Sequence, residues 1–166
     1  MGLIEAIQDN ELLSETYYQK SLEISREIDD KLQLAKTTNN LGTMKYSFGK
    51  LDNALIYFQE VLKLYQAIDN KREVGIALGN ISGQMENQGK LLEALDYQNR
   101  AYKIFVDIDE KLFIFISLYV IANLHLKLGN FEEAIKFADE STRHLFCRRL
   151  INQTKTVCSK HGNCWR

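Results

Sequence analysis

The sequence repeats itself every 40 residues, and such an internal repeat constrains the fold more than any other feature of a chain. A phrase in which glycine is followed five residues later by alanine occurs three times, at Gly49, Gly89 and Gly129. A second phrase, Ile-Asp-x-Lys, recurs at the same interval, at Ile28, Ile68 and Ile108. Two such markers in each period indicate two secondary-structure elements per repeat.

Both elements are predicted to be helices. Apolar residues follow each glycine at the spacing of a half-buried helix, as in Leu51, Ala54, Leu55 and Phe58. The chain contains no proline, the strongest helix breaker. Glycine suits the left-handed residue that ends a helix, and the aspartate of each Ile-Asp phrase is predicted to cap the next one. We predict helices over residues 11–28, 31–47, 51–68, 71–87, 91–108, 111–127 and 131–146.

Antiparallel helices joined by such short turns pack as pairs, and the pairs stack into a solenoid. Close crossing within a pair requires small side chains, which Gly42, Ser82 and Ala122 supply opposite the recurring alanines. Together with Leu41, the glycine-alanine phrase and the aromatic Phe58, they resemble the tetratricopeptide repeat over residues 1–146. The resemblance implies an all-α, right-handed α-solenoid of antiparallel helix pairs, with a partial first repeat and full repeats at 31–68, 71–108 and 111–146.

The repeat departs from the commonest tetratricopeptide unit, which has about 34 residues and ends its second helix with a proline. A longer unit with an Ile-Asp-x-Lys turn resembles the variant of spindle-orientation adaptors, kinesin light chains, Rap-type regulators and the sensory regions of some bacterial kinases. All of these are binding modules, so the resemblance implies a binding function.

Both ends of the sequence fall inside repeats. Residues 1–10 align with residues 41–50, which predicts that the first helix of that pair is only half present. In the tail, residues 147–166, Gly162 lies 120 residues after Gly42 and is therefore in register. We expect a fragment of a larger array, or a truncated gene model, whose tail is a truncated further repeat; the alternative is a short protein with a divergent, disordered end.

The tail is also distinct in charge. Residues 1–142 carry 22 acidic and 15 basic residues, a net charge of −7, whereas the remainder carries +6. A basic tail can contact nucleic acid, but without a recognition motif this is the weakest of the partner hypotheses. Cys158, His161 and Cys164, with Cys147 upstream, could ligate zinc, yet their spacing matches no common zinc motif, and we expect reduced thiols and no metal.

No arrangement typical of catalysis or of cofactor binding is found. The repeated glycines stand singly at helix ends, unlike a phosphate-binding loop, and His125 and His144 have no nucleophile beside them in a recognisable motif. We therefore predict that the chain is not an enzyme and uses no cofactor. Without a bilayer-length apolar stretch or a secretory signal, we expect a cytoplasmic location and no membrane partner.

In tetratricopeptide arrays the first helix of each pair lines a concave face, and the resemblance therefore implies a set of partner-binding positions. These are Lys36, Asn39, Thr43, Tyr46, Ser47, Ile76, Gly79, Gly83, Glu86, Asn87, Ile116, Tyr119, Asn123, Leu126 and Lys127. The face is polar at its start and apolar near its end. The positions that would clamp a terminal carboxylate hold no basic residue, which argues against that mode of binding.

Three glycines, Gly75, Gly79 and Gly83, recur once per turn on one side of the helix over 71–87. Each costs a helix roughly 1 kcal/mol relative to alanine, so three on one stripe need a reason. One reason is tight packing or simple tolerance. The other is that bare backbone lets a partner approach closely, with Ile116 and Tyr119 as an apolar anchor.

Two functions from different classes remain open. The leading hypothesis is a protein-interaction scaffold that receives a peptide or helical segment of a partner in the concave groove. The alternative is a sensory or regulatory region of a larger signalling protein, such as a kinase, cyclase or transcription regulator. Self-association through exposed terminal helices is also expected, because a solenoid cut through its terminal pairs lacks the polar caps needed for solubility.

Overall fold

The computed structural model describes residues 2–143, and it describes side-chain surroundings from residue 11 onward. Within this part of the chain there are seven helices and no strand. They are α1 (Gly2–Glu27), α2 (Lys31–Ser47), α3 (Leu51–Ala67), α4 (Lys71–Asn87), α5 (Leu91–Asp107), α6 (Lys111–Lys127) and α7, which is helical over residues 131–143. The all-α fold is confirmed, and α2 to α6 agree with the predicted helices to within one residue at each end.

Helix α1 differs from its prediction. It begins at Gly2 instead of residue 11, and so residues 2–10 continue α1 and are not the remnant of a separate helix. Asp9 stands where the later repeats carry the turn glycine of Gly49. Aspartate can form such a turn, as Asp29 does at the end of α1, but α1 continues through Asp9 without one.

All six turns between helices use one residue in the left-handed region. Three are the predicted glycines, with φ of +73° at Gly49, +75° at Gly89 and +79° at Gly129. The amide of Gly49 donates to the carbonyl of Tyr46 at 2.9 Å, and the amide of Lys50 donates to the carbonyl of Lys45 at 2.9 Å. This pair of bonds satisfies carbonyls that the end of α2 would otherwise leave unpaired.

The other three turns place Asp29, Asp69 and Asp109 in the left-handed region, at φ of 52° to 53°. The prediction that these aspartates cap the following helix is therefore wrong by one residue. The side chains of Asp30 and Asn70 are the caps, accepting from backbone amides at 2.9 Å and 3.3 Å respectively. A short polar side chain tolerates positive φ better than most, which is why aspartate substitutes for glycine in these turns.

The predicted helix pairs are confirmed by contacts between small residues. A Cβ atom on Gly42 of α2 would lie 3.0 Å from the ring of Phe58 on α3. In the next pair, Ser82 of α4 donates a hydrogen bond from Oγ to the carbonyl oxygen of Ala94 on α5 at 2.7 Å, and both residues are fully buried. Helices α2 and α3, and α4 and α5, therefore cross at the positions that the repeat indicated.

Apolar side chains form a core that runs along the array. The largest cluster combines residues of α2 to α6, including Val61, Leu78, Phe105 and Leu118. A second cluster joins α3, α4, α5 and α6 around Phe58 and Leu124, and a third joins α1 to α2. Each cluster crosses the boundary between repeats, so every repeat depends on its neighbours for burial.

The contact between α1 and α2 contains an ionic cluster beside its apolar one. Lys45 is buried, with 5% of its side chain exposed, and its Nζ lies 2.6 Å from Glu15 and 3.1 Å from Glu11. Lys50 donates to the same Glu11 at 2.6 Å, and this bond is the main reason that the pKa of Glu11 lies below its usual value. Burial lowers the pKa of Lys45, but its hydrogen bonds to Glu15 and Glu11 outweigh that effect and raise it above its ordinary value.

Replacing Ala94 with phenylalanine tests the helix crossing. We expect Ala94→Phe to lower the free energy of unfolding by about 1 to 3 kcal/mol or more, because the larger side chain cannot fit between α4 and α5. Urea denaturation followed by circular dichroism would measure the change. Leu92→Phe is the matched control because Leu92, two residues earlier on α5, is exposed. A change below about 0.5 kcal/mol at Ala94, within the range of a surface substitution, would contradict the pairing.

The ionic contact is tested by the double substitution Glu11→Gln and Glu15→Gln. We expect a loss of about 1 to 3 kcal/mol in the docking of α1, because the buried charge of Lys45 loses its partners. Hydrogen exchange of the α1 amides would report it, with Glu23→Gln and Glu27→Gln as a control of equal charge change at exposed sites of α1.

The same contact predicts a dependence on pH. The folded-state pKa of Glu11 is below its unfolded value of 4.5. Ionised Glu11 therefore makes its full contribution to the stability of the α1–α2 contact above pH 4.5. It is lost as the pH falls through the folded pKa. Protection of the α1 amides that stayed constant through this range would contradict the prediction.

Candidate protein-binding surface

Of the fifteen positions named above, we favour twelve as partner-binding and leave out Ser47, Asn87 and Leu126. All twelve lie on the first helices α2, α4 and α6, and we call the surface they form the first-helix face. Its members are Lys36, Asn39, Thr43, Tyr46, Ile76, Gly79, Gly83, Glu86, Ile116, Tyr119, Asn123 and Lys127. None of the twelve is buried; each is exposed or half-buried. The 40-residue register aligns them in rows across the three helices, such as Asn39, Gly79 and Tyr119.

Polar contacts join the three helices along this face. Asn80 donates from Nδ2 to Oδ1 of Asn39 at 3.4 Å, and Asn87 donates from Nδ2 to the hydroxyl oxygen of Tyr46 at 3.3 Å. These bonds place α2 directly beside α4. Asn80 was not among the predicted residues, although it directly follows the predicted Gly79 in the sequence and could have been considered with it.

The charges of the first-helix face largely cancel. Lys127 of α6 lies 2.6 Å from Glu86 of α4, in an ion pair that is partly open to solvent. Lys36 is the remaining charged residue of the twelve. The face therefore presents little net charge, and the rows at positions 39 and 43 hold no basic side chain that could clamp a carboxylate.

The polarity changes from α2 to α6. The α2 side carries Lys36, Asn39 and Thr43. The Thr43 hydroxyl donates to the carbonyl of Asn39 at 3.0 Å, so towards a partner it can act only as a hydrogen-bond acceptor. The α6 side carries Ile116 and Tyr119, and Tyr119 exposes 58% of its surface. Exposed aromatic and aliphatic side chains at one end of a polar face are typical of interaction sites.

The three glycines of α4 have different surroundings. A Cβ atom on Gly75 would lie 2.6 Å from the ring of Phe105, which explains this glycine by packing. At Gly79 the nearest atom would be Oε1 of Gln98 at 3.9 Å, and at Gly83 nothing lies within 4 Å. Tight packing therefore accounts for Gly75 alone: a Cβ atom would make an ordinary contact at Gly79 and would meet open space at Gly83.

A pocket of about 360 Å³ adjoins the α6 end of the face. It is almost entirely apolar, and its walls come from both α6 and α7: Tyr119, Ala122, Asn123, Leu126, Phe131, Ala134, Ile135 and Ala138. Tyr119 and Asn123 belong to the predicted set. The α7 residues do not, because the resemblance directed attention to first helices alone.

Other predicted features lie elsewhere or outside the description. The His125 ring stacks on Phe137 with 5.4 Å between ring centres, a packing contact between α6 and α7. The Cys158, His161 and Cys164 cluster, Cys147 and the tail lie outside the described residues. No helix in the described part is long and apolar enough to cross a membrane.

Comparison with known proteins identifies relatives of this architecture. The sequence profile of the tetratricopeptide repeat matches residues 1–67 and 73–145. No curated protein sequence matches the chain. Among solved structures, the TPR domain of Arabidopsis FLU is 25% identical, with a TM-score of 0.66, covering 70% of this chain and 98% of that domain.

Two further structures share the fold at lower identity. BtubC (BKLC) from P. vanneervenii is 20% identical with a TM-score of 0.69, covering 81% of this chain and 56% of its own. The Rap conjugation gene regulator of the plasmid pLS20, solved in complex with a Phr peptide, is 22% identical with a TM-score of 0.69, covering 86% and 38%. The chain thus spans about half the length of BtubC and less of the Rap regulator.

Alanine substitutions should separate the glycines of α4 by the sign of their effect. We expect Gly83→Ala to raise the free energy of unfolding by up to about 1 kcal/mol, because alanine favours the helix and the new Cβ meets nothing. Gly75→Ala should lower it by about 1 to 3 kcal/mol, since the new Cβ collides with Phe105. Urea denaturation would measure the free energy of unfolding of both variants. Equal changes would show that the surroundings of the two glycines do not differ.

Proposed function

Because this chain belongs to the tetratricopeptide repeat family, we propose that it is a protein-interaction scaffold whose first-helix face binds a peptide or helical segment of a partner. Helical repeats of this family generally serve as binding surfaces, and the Rap regulator with the same fold was solved with a peptide. The proposal assigns binding to the twelve residues of the first-helix face, which the family resemblance implies to be concave.

The observation that carries the proposal is that the backbone at Gly79 and Gly83 is not closely packed. A Cβ atom would make an ordinary contact with Gln98 at Gly79, at 3.9 Å, and would meet nothing at Gly83, so close packing does not require either glycine. Each costs α4 roughly 1 kcal/mol relative to alanine, which calls for a reason other than folding. Close approach of a partner's main chain is such a reason, because a Cβ atom on either residue would project into the space above the face. Asn39 and Asn123 flank this space and supply side-chain amides for hydrogen bonds.

The charge and polarity of the face define the partner. With Glu86 and Lys127 paired, the face suits a segment with little net charge. The segment would place polar groups over α2 and a bulky apolar side chain against Ile116 and Tyr119. An amphipathic helix or an extended peptide with one aromatic or branched aliphatic anchor meets this description.

A second candidate is a regulatory region of a larger signalling protein. The Rap conjugation gene regulator favours it, because that regulator has the same fold and binds a peptide, and this chain covers 38% of it. In that case the same face would bind the peptide, and binding would alter the stacking of the repeats. A signalling domain in the same open reading frame would support this candidate.

Substitution of the anchor tests the binding face. Peptides selected from a random phage-display library on the wild-type chain would serve as probes, with affinities measured by fluorescence anisotropy. We expect Tyr119→Ala to weaken binding about tenfold or more, because truncating an aromatic anchor typically costs about 2 kcal/mol. Gly79→Ala should also weaken binding while it stabilises the fold.

Tyr17→Ala is the matched control, since Tyr17 of α1 is as exposed as Tyr119 but lies off the first-helix face. If the wild type and both face variants bound the peptides equally well, the first-helix face would not be the binding site. Loss of binding in Tyr17→Ala alone would place the site on α1.

A further inference from the structure

The second helix of one repeat and the first helix of the next contact each other at fixed register positions. At the boundary of α1 and α2 these positions hold Glu11, Glu15 and Lys45, which form ion pairs at 3.1 Å and 2.6 Å. The three residues therefore define an interface triplet: two side chains one turn apart on a second helix, and one side chain on the following first helix.

The next triplet has the same geometry with different chemistry. Forty residues on, the positions hold Leu51, Leu55 and Met85; Met85 is buried in a cluster to which Leu55 also belongs, and Leu51 is half-buried. Charge faces opposite charge in one triplet, and apolar faces apolar in the other. The two sides of these two boundaries thus match; in the third triplet Leu91 and Leu95 share the register with His125, which is half-buried and stacks on Phe137.

The triplet on α7 has only its second-helix half among the described residues. Its members are Phe131 and Ile135, which expose 63% and 65% of their surfaces and line the 360 Å³ pocket. Their counterparts Leu91 and Leu95 on α5 are half-buried and pack in a cluster with Leu124 of α6. The register thus assigns a first helix to the space above Phe131 and Ile135.

The third member of this triplet is position 165, which is occupied by Trp165, the only tryptophan of the chain. Trp165 thus takes the register position of Lys45, Met85 and His125 in the earlier first helices. Before Trp165 in the sequence, Val157, Cys158 and Cys164 fall at register positions that are buried in all three earlier first helices.

We propose that residues 151–166 form the first helix of a fourth pair and pack on α7, with Trp165 covering Phe131 and Ile135. The segment follows α7 in the chain, after residues 144–150. Its basic character complements α7, whose acidic residues are Glu132, Glu133, Asp139 and Glu140.

The Trp165 contact carries most of the docking. His161 falls where Leu41, Ile81 and Ile121 are fully buried, so the segment has a weaker apolar stripe than its counterparts. An isolated helix of this length is marginal in water, and it therefore depends on tertiary contact for its structure. Burial of an indole supplies the largest apolar area available to any single side chain.

Intrinsic fluorescence of the full chain tests the proposal, because Trp165 is the sole indole emitter. We expect the emission maximum to lie at shorter wavelength than that of free N-acetyltryptophanamide and acrylamide quenching to be several-fold weaker. Both properties should be independent of protein concentration. Emission and quenching like those of the free amide would overturn the proposal outright.

Two isoleucine substitutions locate the contact. Ile135→Asp should move the emission towards that of the free amide, and Ile135→Ala should move it part of the way. Ile56→Asp is the matched control, because Ile56 on α3 is 62% exposed and lies outside the pocket. Far-ultraviolet circular dichroism would verify that the array stays folded in each variant, as expected for substitutions at exposed sites.

The remaining outcomes also decide the matter. A shielded Trp165 that is unaffected by either change at Ile135 would place the indole elsewhere and overturn the proposal. Shielding that disappears on dilution would show that a second copy of the chain covers α7 and would likewise overturn it. Because these readouts need no partner, failure here leaves the proposed binding function untouched, and failure of peptide binding leaves this contact untouched.

Discussion

The structure depends on the close approach of paired helices at small residues. Gly42 lies against the ring of Phe58, and the Ser82 hydroxyl donates to the backbone carbonyl of Ala94, so only small side chains stand at the second crossing. This separation lets the apolar stripes on both sides of the crossing reach each other and form a shared core. A larger residue at either crossing would separate the helices and expose the stripes along their whole length.

Stacking of the pairs obeys a different constraint, which acts between neighbours only. At two boundaries two residues on one helix match one on the next: glutamates with lysine at the first, and leucines with methionine at the second. A buried ion pair adds little net stability over an apolar contact but disfavours wrong pairings, since an unpaired buried charge is costly. The ionic triplet thus gives the α1 boundary a specificity that the apolar boundary lacks.

These two sets of contacts use the sides of α2, α4 and α6 that face other helices, and they leave the first-helix face free. The glycines of α4 share one stripe but differ in their surroundings: Gly75 lies against the ring of Phe105, whereas a Cβ atom on Gly83 would meet nothing. Because the packed side maintains the fold, the open side can vary in sequence without loss of the array. The change from Asn39 and Thr43 on α2 to Ile116 and Tyr119 on α6 is therefore free to suit a partner.

The sequence by itself determined helices α2 to α6, their pairing and their family, because a period of 40 residues with glycine and aspartate at its turns repeats a local conformation that needs no long-range information; it did not place the start of α1. It did not distinguish Gly75 from Gly79, since both occupy the same stripe of one helix and differ only in whether Phe105 lies above them. Nor did it reveal the hydrogen bond of Asn80 to Asn39 or the exposure of Phe131 and Ile135. Those features were decided by the tertiary structure, because the surroundings of a residue depend on helices distant in sequence whose positions only the packing of the whole array sets.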